Sequence, residues 1–415
     1  MSAPKLSFYG DDFTGSTDAL ESLALAGLRT MLFTSVPTRQ QLAEHRDLEA
    51  LGVAGMTRSM PPDEMERTLR PALTALRELA APIVHYKVCS TFDSSPTVGS
   101  IGRVIDVAWE IFEPAFIPVL VGAPALGRYC LFGNLFARCG PESEPYRLDR
   151  HPSMSRHPVT PMNEADLRVH LSKQTRKRIG LFDIVQLTSG DADERFERLL
   201  QSEPQVVLID VLDESQLATI GGILSRHATT DRPLFVVGSS AVEAALCLHW
   251  KTQPAAPRPV APVTPLLAVC GSCSPVTAAQ IERAVNDGFV PVTMDTKAVG
   301  AVTDLLNSGR CVVLHTQGLS GQEQNIGEKL SRTVHDVMER TSLLRVVIAG
   351  GDTSGHVARA LGIQSLQVVA PLTPGAPLCR AAAPGSAADG VEFVFKGGQI
   401  GPVDFFSVVR NGRGT

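Results

Sequence analysis

The chain has 415 residues, room for two or three domains that each bury a full hydrophobic core. Apolar residues make up 44% and charged residues 20%, as in a globular enzyme, and a net charge of -5 without a long Lys/Arg run argues against a nucleic-acid surface. No apolar run reaches the length of a membrane helix and residues 1–5 lead straight into a strand, so a cytoplasmic protein with no membrane partner is expected.

The first element is a buried-looking run at residues 6–9, followed by Gly10-Asp11-Asp12-Phe13-Thr14-Gly15-Ser16. Beyond it Ala19, Leu20, Leu23 and Ala24 fall at the spacing of a helix face. The stretch reads as strand, turn and helix, and in an open α/β sheet such a turn is where ligands bind. Asp11, Thr14 or Ser16 would serve as a helix cap, but one cap is enough. Two adjacent acids are costly to bury unless a cation or substrate hydroxyls engage them.

Apolar runs at 31–33, 51–54, 83–88, 116–121, 179–185, 206–211 and 234–237 then alternate with helical patterns at 64–79, 101–111, 164–171 and 241–248. Several runs are continuous, as in strands buried on both faces. The rhythm predicts an α/β fold with a mostly parallel sheet. Three runs end in polar clusters: Lys87 with Ser90, Thr91 and Asp93; Pro124 with Gly127 and Arg128; and Gly238-Ser239-Ser240. Carboxylates and hydroxyls suit the hydroxyls of a polyol, and Lys87 and Arg128 suit an acid group. The substrate implied is small, polar and anionic. Residues 139–161 are polar and Pro-rich and read as a long loop or flap.

Residues 251–265 hold five prolines and almost no core, the clearest linker in the chain. After it the α/β rhythm restarts with runs at 266–269, 311–315, 344–349 and 391–395, and helices at 276–285 and 323–340. The expected division is 1–250 for a domain that takes a polar acid, 251–265 for the linker and 266–415 for a domain that takes phosphates, with the two facing a cleft. Glycine turns concentrate in the second part: Gly271-Ser272, Gly350-Gly351-Asp352-Thr353 and Gly397-Gly398. Bare backbone N–H groups at a helix amino end make a phosphate site, and Asp352 suits a magnesium ion. No Walker A and no Gly-x-Gly-x-x-Gly sequence is present.

The eight cysteines do not form a disulfide framework, and no Cys/His cluster has zinc spacing. Cys270 and Cys273 have redox-motif spacing, but Gly271-Ser272 between them fits a backbone-binding loop better.

Together these motifs resemble the four-carbon acid sugar kinase family, which includes 3-oxo-tetronate and threonate kinases, over nearly the whole length. The resemblance rests on Asp11-Asp12-Phe13-Thr14-Gly15, Tyr86-Lys87 with Ser90-Thr91, Pro124 with Gly127-Arg128, and Gly238-Ser239-Ser240. It continues in Gly271-Ser272-Cys273-Ser274-Pro275, Gly350-Gly351-Asp352-Thr353, Pro374-Gly375 and Lys396 with Gly398. It implies phosphoryl transfer from ATP, with Mg2+, to a hydroxyl of the acid. Asp12 would orient that hydroxyl, Asp11, Lys87, Ser90 and Arg128 would bind the acid, and Ser272, Gly350, Gly351, Asp352, Thr353 and Gly398 the nucleotide; no residue is assigned to a protein-held metal. The family usually continues its Lys segment as Asp-Ser-Thr-Leu-Arg-Gly, whereas this chain has Cys89, then Phe92-Asp93-Ser94. That departure admits a branched or oxidised acid such as 3-oxo-isoapionate. A homodimer is one assembly compatible with the sequence.

Two other readings compete. A haloacid-dehalogenase-like phosphatase needs a second Asp two residues after its nucleophile, and counting from Asp11 or Asp12 that position is Phe13 or Thr14. A non-catalytic sugar-acid-binding protein would need neither paired acids nor phosphate loops.

Overall fold

A computed structural model describes residues 3–140, 143–254, 256, 259–272, 274–317 and 326–414. Cys273, Pro257 of the linker and residues 323–325 of the expected helix lie outside them.

Continuous apolar runs become central strands. The sheet of the first half runs, from its edge inward, Ile179–Phe182, Val206–Ile209, Ile117–Leu120, Leu234–Gly238, Ile83–Lys87, Leu6–Gly10, Ala50–Ala54 and Thr30–Phe33, all parallel. The second half contributes Val290–Thr293, Val312–His315, Leu267–Cys270, Arg345–Ala349 and Glu392–Lys396, also parallel. An antiparallel hairpin, Ser365–Thr373 and Ala376–Ala382, pairs with Glu392–Lys396 on one side and Thr30–Phe33 on the other. The two parallel blocks therefore join edge to edge in one 15-stranded sheet. The α/β class read from the sequence is the observed one, and the joining hairpin is an addition to it.

Alternation along the strands feeds both faces. Leu6 and Phe8 enter one core and Tyr9 another. The Leu6 core continues through Leu267, Val269 and Phe395, so one apolar layer runs under both halves. The Phe13–Leu25 helix packs there.

The expected loop at 139–161 is only partly a loop. Pro145–Arg147 pairs with Asn134–Arg138, which pairs with Arg128–Leu131, in a separate three-stranded antiparallel sheet. The partly exposed, charged strands Arg128–Leu131 and Asn134–Arg138 lack the continuous apolar runs that marked the others. The run at 179–185 splits into the Ile179–Phe182 strand and the short Ile184–Leu187 helix, capped by Asp183.

Candidate active site

Parallel register brings the first polar cluster together. Gly10 lies level with Ala54 on one neighbour and Lys87 on the other, and Lys87 with Gly238. The turns leaving these strands therefore emerge side by side, as expected at the carboxyl ends of an open sheet. Backbone bonds lock them: Asp11 N–H donates to Lys87 O at 2.9 Å, Gly55 N–H to Gly10 O at 2.9 Å and Val88 N–H to Gly238 O at 2.7 Å.

The charges in this cluster form a closed set. Arg58, on the Thr57–Ser59 turn, donates from Nε and Nη2 to the two Asp11 oxygens at 3.0 and 2.7 Å. The same Nη2 reaches Asp12 Oδ1 at 3.0 Å. Asp12 caps the Phe13–Leu25 helix, accepting from Gly15 N–H and the Thr14 hydroxyl at 2.8 Å each. Lys87, buried, pairs with Asp18 at 3.2 Å. Burial alone would raise the Asp12 carboxyl, but the Arg58 and Lys87 charges, with the Thr14 and Gly15 bonds, hold it below the usual carboxylate range. Burial pushes Asp11 the other way, with Arg58 opposing. The two acids are thus electrostatically distinct. Burial and Asp93 push the Cys89 thiol beside them up to about 11, away from thiolate character.

The glycine turns of the second half also converge. Gly350 has φ +132, a conformation open to glycine, and precedes the Gly351–Ala360 helix without a side-chain cap. The first N–H groups of that helix have no intrahelical partner, so its amino end is a ready anion site. A Cβ on Gly350 would stand 2.9 Å from Thr353 Oγ1 and 3.4 Å from Ser272 N. A Cβ on Gly398 would run into the Ser272 hydroxyl, and one on Gly271 into Thr353. Behind this cradle Lys396 Nζ donates to Thr277 Oγ1 at 3.3 Å, and Thr277 to Gly398 O at 2.9 Å. Burial lowers Lys396 to about 8. Cys270, at the base of the first turn, is buried and raised to about 12, which gives the redox reading no support.

The two clusters meet. A Cβ on Gly351 would stand 3.4 Å from Asp12 Oδ2 and 3.7 Å from Thr14 Oγ1. The bare amino end of the second half's helix therefore faces the carboxylate of the first half. Other contacts hold this seam: Phe13 packs edge-on against Phe395 at 4.8 Å, Arg359 reaches Ala54 O at 3.4 Å and contacts Met56, and Gly375 N–H donates to Glu21 Oε2 at 2.7 Å. Glu21 is raised to about 8 by burial, and its Oε1 has no hydrogen-bond partner among the described residues. A cavity of about 810 Å³ opens alongside, lined by Asp18, Glu21, Pro124, Leu126, Ser240 and Gly375 among others.

Of the residues singled out from the sequence, Asp11, Asp12 and Lys87 stand together, as do Ser272, Gly350, Gly351, Thr353 and Gly398. Asp352 is exposed in the first turn of its helix, and Ser90 is half-buried in the loop after Lys87. Arg128 makes no hydrogen bond to the Asp11–Asp12 cluster among the described residues; Nη1 donates to Leu126 O, and its buried Nε has no partner. The sequence reading missed Arg58 and Asp18. The polar Thr57-Arg58-Ser59 just past the run at 51–54 was the available signal for Arg58. Asp18, one turn into a helix, gave none.

Residues 6–246 match the model of a sugar-binding N-terminal domain, and residues 267–406 that of a nucleotide-binding C-terminal domain. The chain is 43% identical to 3-oxo-isoapionate kinase of Paraburkholderia graminis, covering 98% of this chain and 94% of that protein. It is 28% identical to 3-oxo-tetronate kinase of Pseudomonas savastanoi pv. phaseolicola, covering 97% and 96%. A crystal structure from Salmonella typhimurium, described as a candidate tRNA synthase, superposes with a TM-score of 0.80 at 26% identity over 98% of each chain. No helix among the described residues is long and apolar enough to cross a membrane.

Proposed function

The chain belongs to the four-carbon acid sugar kinase family and is an ATP-dependent sugar-acid kinase, and from that premise we propose that its acceptor is a 3-oxo-isoapionate-type branched acid. The higher identity to the 3-oxo-isoapionate kinase than to the 3-oxo-tetronate kinase supports this choice. The phosphatase reading has no support in the relatives.

The observation that carries the mechanism is the approach of the Gly351 helix end to Asp12 Oδ2. The terminal phosphate of ATP lies on the N–H groups of Gly351–Thr353, with Ser272 and Gly398 shaping the cradle around the nucleotide. The acceptor hydroxyl lies at Asp12. As its oxygen bonds to the γ-phosphorus, the bond from that phosphorus to the ADP oxygen breaks, and the hydroxyl proton passes to Asp12. Such transfer depends on positioning and charge neutralisation more than on covalent chemistry. Asp12 suits the role because it is held ionised, while Asp11 has both oxygens on Arg58. Lys87, Ser90 and Arg128 bind the acid.

No cluster of three or more His, Cys, Asp or Glu side chains among the described residues could hold a metal. Asp352, exposed in the first turn of its helix, would meet a magnesium ion carried by the nucleotide, directly or through water, and the ion would there supply neutralisation of phosphate charge.

The domain division follows the same logic: 1–250 takes the acid, 251–265 links, and 266–415 takes the nucleotide. The protein works in the cytoplasm. The test is ADP formation from Mg-ATP against threonate, erythronate, their 3-oxo forms and 3-oxo-isoapionate. Fastest turnover on 3-oxo-isoapionate is expected. A linear tetronate preferred by tenfold or more would overturn the substrate assignment.

A further inference from the structure

The Arg58 guanidinium has one edge that the described residues do not use. Among them Nε and Nη2 make three hydrogen bonds, to Asp11 and Asp12, and Nη1 makes none. Nor is Nη1 sealed in. It is absent from the buried polar atoms that lack partners, and the side chain keeps 25% of its surface.

Its position gives that edge a target. The turn carrying Arg58 is wedged between the acid pair and the nucleotide helix. Its backbone N–H donates to Asp11 O at 3.0 Å. Two residues earlier, the Met56 side chain lies against Gly355, where a Cβ would stand 3.0 Å from its sulfur. Gly355 is one helical turn beyond Gly351, whose own Cβ would face Asp12 Oδ2. The other Asp12 oxygen, Oδ1, is the one Arg58 holds. Arg58 thus borders the small space enclosed by Asp12 and the helix end, where charge develops on the equatorial phosphoryl oxygens during transfer. Lys87, the other buried cation there, is already paired with Asp18.

We propose that Arg58 is a catalytic residue: Nε and Nη2 fix Asp11 and Asp12, while Nη1 contacts the phosphoryl group in flight from ATP to the acceptor hydroxyl. This rests on the kinase mechanism above, in which that hydroxyl lies at Asp12. In the transfer the new oxygen–phosphorus bond forms, ADP leaves with the electron pair of the bond broken, and Asp12 takes the proton. Arg58 neither gains nor loses a proton; it offsets charge that is largest in the transition state.

The experiment compares steady-state kinetics of the full-length wild type with Arg58→Gln, Asp11→Asn and the double variant Arg58→Gln/Asp11→Asn. Assays use Mg-ATP and whichever acid of the panel turns over. The double variant matters because Arg58→Gln alone leaves two buried carboxylates without their cation and can fail to fold. The expected result is a double variant with kcat about 10²–10³-fold below Asp11→Asn and KM for ATP and for the acid within about threefold. A double variant within about fivefold of Asp11→Asn would overturn the proposal, since Arg58 would then serve only to neutralise Asp11. Wild-type protein silent on every acid would instead refute the underlying function, before any variant is read.

Discussion

Gly351 and Gly350 are adjacent, yet the structure separates what each does. At Gly351, the first helical residue, φ is not in the left-handed region, and a methyl would meet Asp12 Oδ2 at 3.4 Å and Thr14 Oγ1 at 3.7 Å. Both are ordinary van der Waals contacts, so Gly351→Ala fits, and the less flexible unfolded chain adds about 0.4–1 kcal/mol of stability. On the mechanism proposed above, the same methyl stands in the path of the transferred phosphoryl group. With ATP at a hundred times its Kd, binding stabilises the wild type by about 2.7 kcal/mol; hundredfold weaker binding leaves only about 0.4 kcal/mol at that concentration. Gly351→Ala is therefore expected to melt at or above the wild-type temperature without ligand, to lose most of the Mg-ATP shift, and to lose turnover. Gly350→Ala behaves oppositely at the first step, because φ +132 and a Cβ 2.9 Å from Thr353 Oγ1 strain the unliganded protein by about 1–3 kcal/mol. Differential scanning fluorimetry with and without Mg-ATP, alongside ADP release, reads both variants. Full turnover and an undiminished ATP shift in Gly351→Ala would refute the phosphate path drawn here.

Asp12→Asn should lower kcat by about 10³-fold while ATP binding persists; loss of ATP affinity instead would place this residue in the nucleotide site. Because Asp12 is held below the usual carboxylate range, the wild-type acid limb of kcat lies under that range. Activity falls as pH drops through the lowered value, and Arg58→Gln moves the limb upward in any activity that remains; an unmoved limb would sever the link between the two. Glu21 is raised from 4.5 to about 8 by burial, so the folded state binds more protons between these values and stability falls as pH rises through them. Glu21→Gln, which keeps an oxygen for Gly375 N–H, should flatten that decline by up to a few kcal/mol in denaturant melts from pH 5 to 9; parallel wild-type and variant curves would contradict the assignment. Lys396 is lowered from 10.5 to about 8, so stability rises between these values. Lys396→Met should abolish the rise and, by loosening Thr277 and Gly398, raise the KM for ATP several-fold without altering that of the acid.

Much of the fold was legible because it is written locally. Central strands of a parallel sheet are buried on both faces and read as unbroken apolar runs; 206–209 and 312–315 are examples. The turns at 10–15, 271–272 and 350–353 were legible for the same reason, since a carboxylate or glycine beside a strand end carries its meaning within a few residues. The joining hairpin was harder. Residues 365–373 carry exposed and half-buried positions among buried ones and bend at two register shifts, so neither strand period holds.

Arg58 and Asp18 mark a different limit. Each is a charged residue whose local pattern suits a solvated surface, and each gains its meaning from a partner brought near by sheet register: Asp11 for one, Lys87 for the other. The distinction between Asp11 and Asp12 has the same origin. The two share one chemistry and adjacent positions, and no rule of spacing separates them. What separates them is that the Arg58 fork closes on both oxygens of Asp11, while Asp12 keeps Oδ2 turned toward a glycine from the other half of the chain. A sequence can place a reactive pair at a strand end; which member turns toward the other half of the chain is decided by neighbours that only the folded sheet supplies.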